Sequence, residues 1–132
     1  MLIDHIPFEA TISALLRQHA VTHGHRPAYT FHFYPQHTEE QITFAELDRR
    51  AAQIATVLTQ EGLEGQRACL IFTPGLRFIE ALFGCFYAGV TPVPLATPLN
   101  AIDYQRVEGV IADSAAACIL TCQELVAAID DK

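Results

Sequence analysis

Hydrophobic and polar positions recur along this chain at two periods, and the pattern changes near residue 62. Residues 11–23 (TISALLRQHAVTH) place Ile12, Leu15, Leu16 and His19 or Ala20 on one side, the spacing of an amphipathic helix, with Gly24 as its stop. Residues 28–34 (AYTFHFY) switch to a period of two, with Tyr29, Phe31 and Phe33 facing one way and Thr30, His32 and Tyr34 the other. This predicts a strand with an aromatic face. Residues 35–40 (PQHTEE) predict a turn into a short partner strand around 41–43. Thr43-Phe44-Ala45-Glu46 is a capping box, in which hydroxyl and carboxylate each satisfy an orphan backbone N–H. The helix it opens carries Phe44, Leu47, Ala51, Ile54, Ala55 and Leu58 in one stripe and leaves Asp48, Arg49, Arg50 and Gln53 outside it. Gly62 ends it.

Beyond this point polar positions thin out. RACLIF (67–72) shows no alternation, as expected of a strand buried on both faces. TPG (73–75) turns the chain into a helix over 76–88, where Phe78, Ile79, Leu82, Phe83, Phe86 and Tyr87 leave almost no polar side; Gly89 closes it. VTPVPL (90–95) predicts the next strand, 103–113 a helix with Tyr104, Val107, Val110 and Ile111 inward, and ACILT (117–121) a third apolar strand. Thr121-Cys122-Gln123-Glu124 repeats the capping-box pattern before a last helix with Leu125, Val126 and Ile129 apolar. Strands separated by helices predict βαβ units and a parallel sheet. The chain therefore reads as a single α/β domain: a helix, hairpin and capped helix over 1–62 and a βαβαβα segment over 63–132. Pro92 and Pro94, two apart, remove N–H donors from one side of their strand and predict a sheet edge. A helix apolar all round must be buried all round. On 132 residues this predicts that helix 76–88 is covered by self-association, by a partner or by further subdomains of a larger domain.

Composition narrows the function classes. The formal net charge is −7, with eight scattered Lys and Arg residues, which argues against a nucleic-acid or anionic-membrane surface. No apolar run approaches the ~20 residues of a membrane span. Asp4 and Glu9 stand where a signal peptide would carry positive charge and then an apolar stretch, so a cytoplasmic protein is expected. Cys69, Cys85, Cys118 and Cys122 form no CxxC pair and lie in apolar segments, predicting buried free thiols. On a strand, Cys118 and Cys122 would lie ~13 Å apart, too far for a disulfide or a shared metal.

Candidate chemistry is sparse. Thr73-Pro74-Gly75 joins a strand to a helix N-terminus, where anions are often held, but one glycine also suits an ordinary tight turn. His19 and His23 share a helix face with His25 close by, yet Ala20 stands where HExxH has its glutamate. Helix-end histidines that complement the dipole account for them. Ser13 and Ser114 lie in no nucleophile elbow. Asp103 with Glu108, and Asp130 with Asp131, read as solvated carboxylates.

Taken together, RPAYTF, ITFAELDRRAAQIATVL, TPGLRFIEALFGCFYAGVTPVPL and IADSAAACILT resemble the opening of an adenylate-forming enzyme. Thr43-Phe44-Ala45-Glu46-Leu47, Pro74-Gly75-Leu76-Arg77-Phe78 and Gly84-Cys85-Phe86-Tyr87-Ala88-Gly89 followed by Pro92-Val93-Pro94 resemble the N-terminal segment of the fatty acyl-AMP ligases, from about Thr11 to Ile129. The resemblance implies the first subdomain of a large N-terminal domain. It also implies a parent that uses ATP and Mg²⁺ to convert a fatty acid to acyl-AMP and then acylates an acyl carrier protein, typically of a polyketide or peptide synthase. The family's Ser/Thr/Gly-rich phosphate loop, its ribose-holding acidic residue and its C-terminal catalytic lysine have no counterpart here. The expectation is accordingly no catalytic, cofactor-binding or metal-binding residue in this chain. The alternative is a stand-alone, non-catalytic interaction module that kept the fold.

Overall fold

The structure, a computed structural model, describes residues 11–130, with side chains through Val126. The residues read against a signal peptide (Asp4, Glu9), and the side chains of Ile129, Asp130 and Asp131, lie outside what is described. Ten elements follow in order: α1 (Ile12–Thr22), β1 (Pro27–Phe33), β2 (Thr38–Thr43), α2 (Phe44–Gln60), β3 (Arg67–Ile71), α3 (Leu76–Ala88), β4 (Thr91–Leu95), α4 (Ala101–Ser114), β5 (Cys118–Thr121) and α5 (Gln123–Asp130).

β1 and β2 form an antiparallel hairpin with Phe33 opposite Thr38, so β2 begins three residues earlier than the pattern predicts. The aromatic face is present. Phe31 and Phe33 meet edge to face at 4.8 Å, and Tyr29 lies 6.4 Å from Phe83. The capping box forms as read: Glu46 N–H donates to Thr43 Oγ1 (3.2 Å) and Thr43 N–H to Glu46 Oε2 (3.0 Å). Leu47, Ala51, Ala55 and Leu58 bury the α2 stripe.

The parallel sheet has the order β4-β3-β5. β3 is central, and Ala68, Cys69, Leu70 and Ile71 are all buried. Ala68 and Leu70 pack with Ala55, Leu58, Ala81 and Cys85 of α2 and α3. Cys69 points to the opposite face, where its Sγ lies 3.9 Å from Ser114 Oγ at the end of α4. The two crossovers therefore cover opposite faces. β4 is an edge strand, as its prolines predict.

α3 is the buried helix the sequence calls for, with only Arg77 fully exposed along it. Part of its cover comes from within the chain, while Phe78, Ile79, Leu82, Phe86 and Tyr87 are half-buried. Leu76 and Phe83 pack with Leu16 of α1, Ile42 of β2 and Leu47 and Ala51 of α2, while the other side rests on β3. Gly84 allows the closest approach: a Cβ there would stand 2.5 Å from Ile54 Cγ2. Gly89 ends the helix in the left-handed conformation (φ 67°), with Val90 N–H donating to Cys85 O at 2.9 Å.

The surplus apolar surface lies elsewhere. α4 has no buried residue, and Val110, expected inward, is exposed together with Ile102. Tyr104, Val107 and Ile111 are half-buried. In α1, Ile12 is 56% exposed and Leu16 alone is fully buried. The second capping box does not form with Thr121, which pairs with Ile71 as the last residue of β5. Helix α5 starts two residues later, and Leu125 and Val126 N–H both reach Cys122 O.

Candidate functional site at the carboxyl end of the sheet

In open α/β sheets ligands bind beyond the carboxyl ends of the strands, where the strand order reverses. Here that point lies at β3, flanked by β4 and β5. Three connections meet there. The turn 73–75 leaves β3, and Gly75 is the N-cap of α3 without any side-chain cap. Thr97, after β4, donates its Oγ1 proton to Phe72 O at 2.8 Å and ties that loop to the end of β3. Thr73 Oγ1 lies 3.7 Å from Cys122 Sγ and joins the ends of β3 and β5. Thr121 Oγ1 is buried with no hydrogen-bond partner among the described residues.

A groove of about 550 Å³ opens at this end, with Phe72, Pro74, Phe78, Ile79 and Leu99 on one wall and Tyr29 and Phe31 of the hairpin on the other. No charged side chain lines it. Hydroxyls, a thiol and an apolar wall supply neither a general base nor a ligand set for Mg²⁺.

The other sequence candidates take structural places. His19 stacks on Phe44 at 5.0 Å and lies 5.8 Å from His23. Ser114 donates to Ile111 O (3.2 Å), and Ser13 lies in the first turn of α1. Asn100 caps α4, its Oδ1 accepting from Asp103 N–H (3.0 Å), and the Asp103 carboxylate in turn accepts from Asn100 Nδ2 (2.9 Å) and Leu99 N–H (3.2 Å), while Glu108 is exposed. All four cysteines are free; three are buried and Cys118 is half-buried. Burial first, then the neighbouring Cys118, pushes the Cys85 thiol up to about 11. Such a thiol is a packing group, with its nucleophilic form suppressed.

One constellation escaped sequence reading. Tyr87 of α3 donates to Asp48 of α2 at 2.6 Å, and the Arg17 guanidinium of α1 lies 4.5 Å above the Tyr87 ring. Burial and the Asp48 bond hold the Tyr87 hydroxyl protonated well above its usual range. The arrangement locks three helices together, 39 and 70 residues apart in sequence, and the only local signal was a single hydroxyl on a helix whose other polar side chains are Arg77 and Glu80.

A family model described as AMP-binding enzyme matches residues 16–132. The chain belongs to the AMP-binding enzyme family. Within that family its relatives include the long-chain-fatty-acid–AMP ligase FadD26 of Mycobacterium marinum, 33% identical over 89% of this chain and 21% of the relative. The medium-chain-fatty-acid–[acyl-carrier-protein] ligase JamA of Moorena producens is 35% identical over 87% of this chain and 20% of the relative. Among solved structures, the fatty acid AMP ligase of Legionella pneumophila superposes with a TM-score of 0.82 at 30% identity, over 86% of this chain and 20% of that one. The chain thus spans about a fifth of the length of the ligases it matches. Its resemblance to fatty acyl-AMP ligases and its partial α/β fold with a parallel sheet both stand. No helix among the described residues is long and apolar enough to cross a membrane.

Proposed function

We propose that this chain is the N-terminal part of a fatty acyl-AMP ligase and does not catalyse the reaction by itself. The whole enzyme joins a fatty acid carboxylate to the α-phosphate of ATP, releases pyrophosphate, and passes the acyl group to the thiol of an acyl carrier protein. The observation that carries this reading is a likeness to fatty-acid–AMP ligases running along nearly all of this chain yet only a fifth of theirs. A related L. pneumophila ligase has been solved with acyl adenylate and pyrophosphate, which supports the first step, and JamA acts on an acyl-carrier protein, which supports the second. Mg²⁺ supplies charge neutralisation on the phosphates in the whole enzyme. The uncharged groove of this chain does not fit as its site, so no step is assigned to residues here.

The alternative is a stand-alone interaction module, which predicts an oligomer that hides the half-buried side chains of α3. The test is fatty-acid-dependent exchange of labelled pyrophosphate into ATP by the pure 132-residue protein. The expected result is no exchange above the enzyme-free blank; robust exchange overturns the proposal.

A further inference from the structure

Helix α1 is fastened at one end and thinly held along the rest. At its carboxyl end the chain is tied to the start of α2. Ala45 N–H donates to Gly24 O and Phe44 N–H to Arg26 O, both at 3.1 Å. The approach there is close, since a Cβ on Gly24 would stand 3.2 Å from Ala45 Cβ. Among the described residues, no backbone hydrogen bond joins Ile12–Thr22 to another element. What remains is side-chain contact. Leu16 alone is fully buried, in one cluster with Ile42, Leu47, Ala51 and Phe83. Arg17 lies over the Tyr87 ring and His19 stacks on Phe44, and both side chains are exposed. Ile12 and Val21 are exposed as well. Open space flanks the helix: about 300 Å³ toward Tyr29 and Phe44, and about 680 Å³ beside Phe86 and Tyr87. Ile12 borders both. By contrast α2 buries four residues and α3 six.

We propose that α1 is a hinged strap. It swings off as a unit about residues 23–26, while α2, α3 and the parallel sheet stay folded. Closed, it covers the apolar seam at Leu47, Phe83 and Tyr87; open, it gives access to it. Two physical arguments support this. The cost of a local opening follows the contacts it breaks, and here these are one buried leucine and two exposed ring contacts. A helix of eleven residues is also marginal in water alone, so leaving the seam and unwinding coincide. The backbone bonds of Gly24 and Arg26 to α2 survive the movement and return the strap to the same place.

Residue-resolved amide exchange on the 132-residue protein in rising, sub-denaturing urea tests this. The amides of Leu16 to Ala20 are expected to exchange about 100-fold faster than those of Leu82 and Cys85 in α3, with one shared urea dependence shallower than that of global unfolding. Arg17 is exposed, so Arg17→Ala leaves the core intact and should speed exchange across α1 about 3-fold without changing α3. Exchange of α1 at the rate and urea dependence of α3 makes the helix an integral part of the core and overturns the proposal. So does Arg17→Ala speeding both helices equally. A graded loss of protection from Leu16 to Ala20, with no shared urea dependence, is fraying without a hinge and overturns it too.

Discussion

α3 and α4 are both crossover helices of one sheet, 13 and 14 residues long, and their surroundings could hardly differ more. α3 buries six residues among two helices, a hairpin and the sheet, whereas α4 buries none. Each helix has one internal glycine that makes the contrast concrete. At Gly84 an added Cβ would meet Ile54 at 2.5 Å; at Gly109 it would meet nothing within 4 Å. The lesson is that an apolar stripe reports a need for cover, while the source of that cover is a property of topology. α3 finds it in the described residues that precede β3. α4, on the opposite face, has no comparable layer among the described residues.

The largest effect is expected where that contrast is sharpest. Gly84→Val should destabilise the fold by about 3 kcal/mol in urea denaturation, because Ile54 meets it through its Cβ as well as its Cγ2 and the α2–α3 approach must widen. A loss under 0.5 kcal/mol would mean that the helices are not closely packed. Next comes Cys85, fully buried in α3. Its folded pKa of about 11 exceeds the ordinary 9, so its contribution is complete below pH 9 and is lost as pH rises through 11. The loss should reach about 2 kcal/mol, and Cys85→Ala should flatten the profile over that window. Tyr87→Phe removes the bond to Asp48 and should cost about 1 kcal/mol. Smallest, and opposite in sign, Gly109→Ala should stabilise by about 0.5–1 kcal/mol through helix propensity alone. Destabilisation at that position would reveal a neighbour over α4 and break the comparison.

Much of the fold was legible because its signals are local. Thr43 and Glu46 cap a helix whatever lies around them, and Pro92 and Pro94 cannot donate wherever their strand is placed. Thr121-Cys122-Gln123-Glu124 misled for the converse reason. Its box competes with strand pairing to Ile71, and the long-range pairing prevails. The inward stripe of α4 misled because periodicity says nothing about what stands opposite. At the carboxyl end of the sheet the turn at Thr73-Pro74-Gly75 was legible, but its link to Cys122, 49 residues on, was not. The lock of Arg17, Asp48 and Tyr87 stayed hidden too, since its members sit on three helices and only Tyr87 was out of character locally.

The central position of β3 has a consequence for how the sheet is made. A ribosome delivers β3 first, then β4, then β5, so every later strand joins an existing border and none has to be threaded between two others. By the time β5 leaves the exit tunnel, Pro92 and Pro94 have already closed one border. A single landing place is left, and the nascent strand takes it.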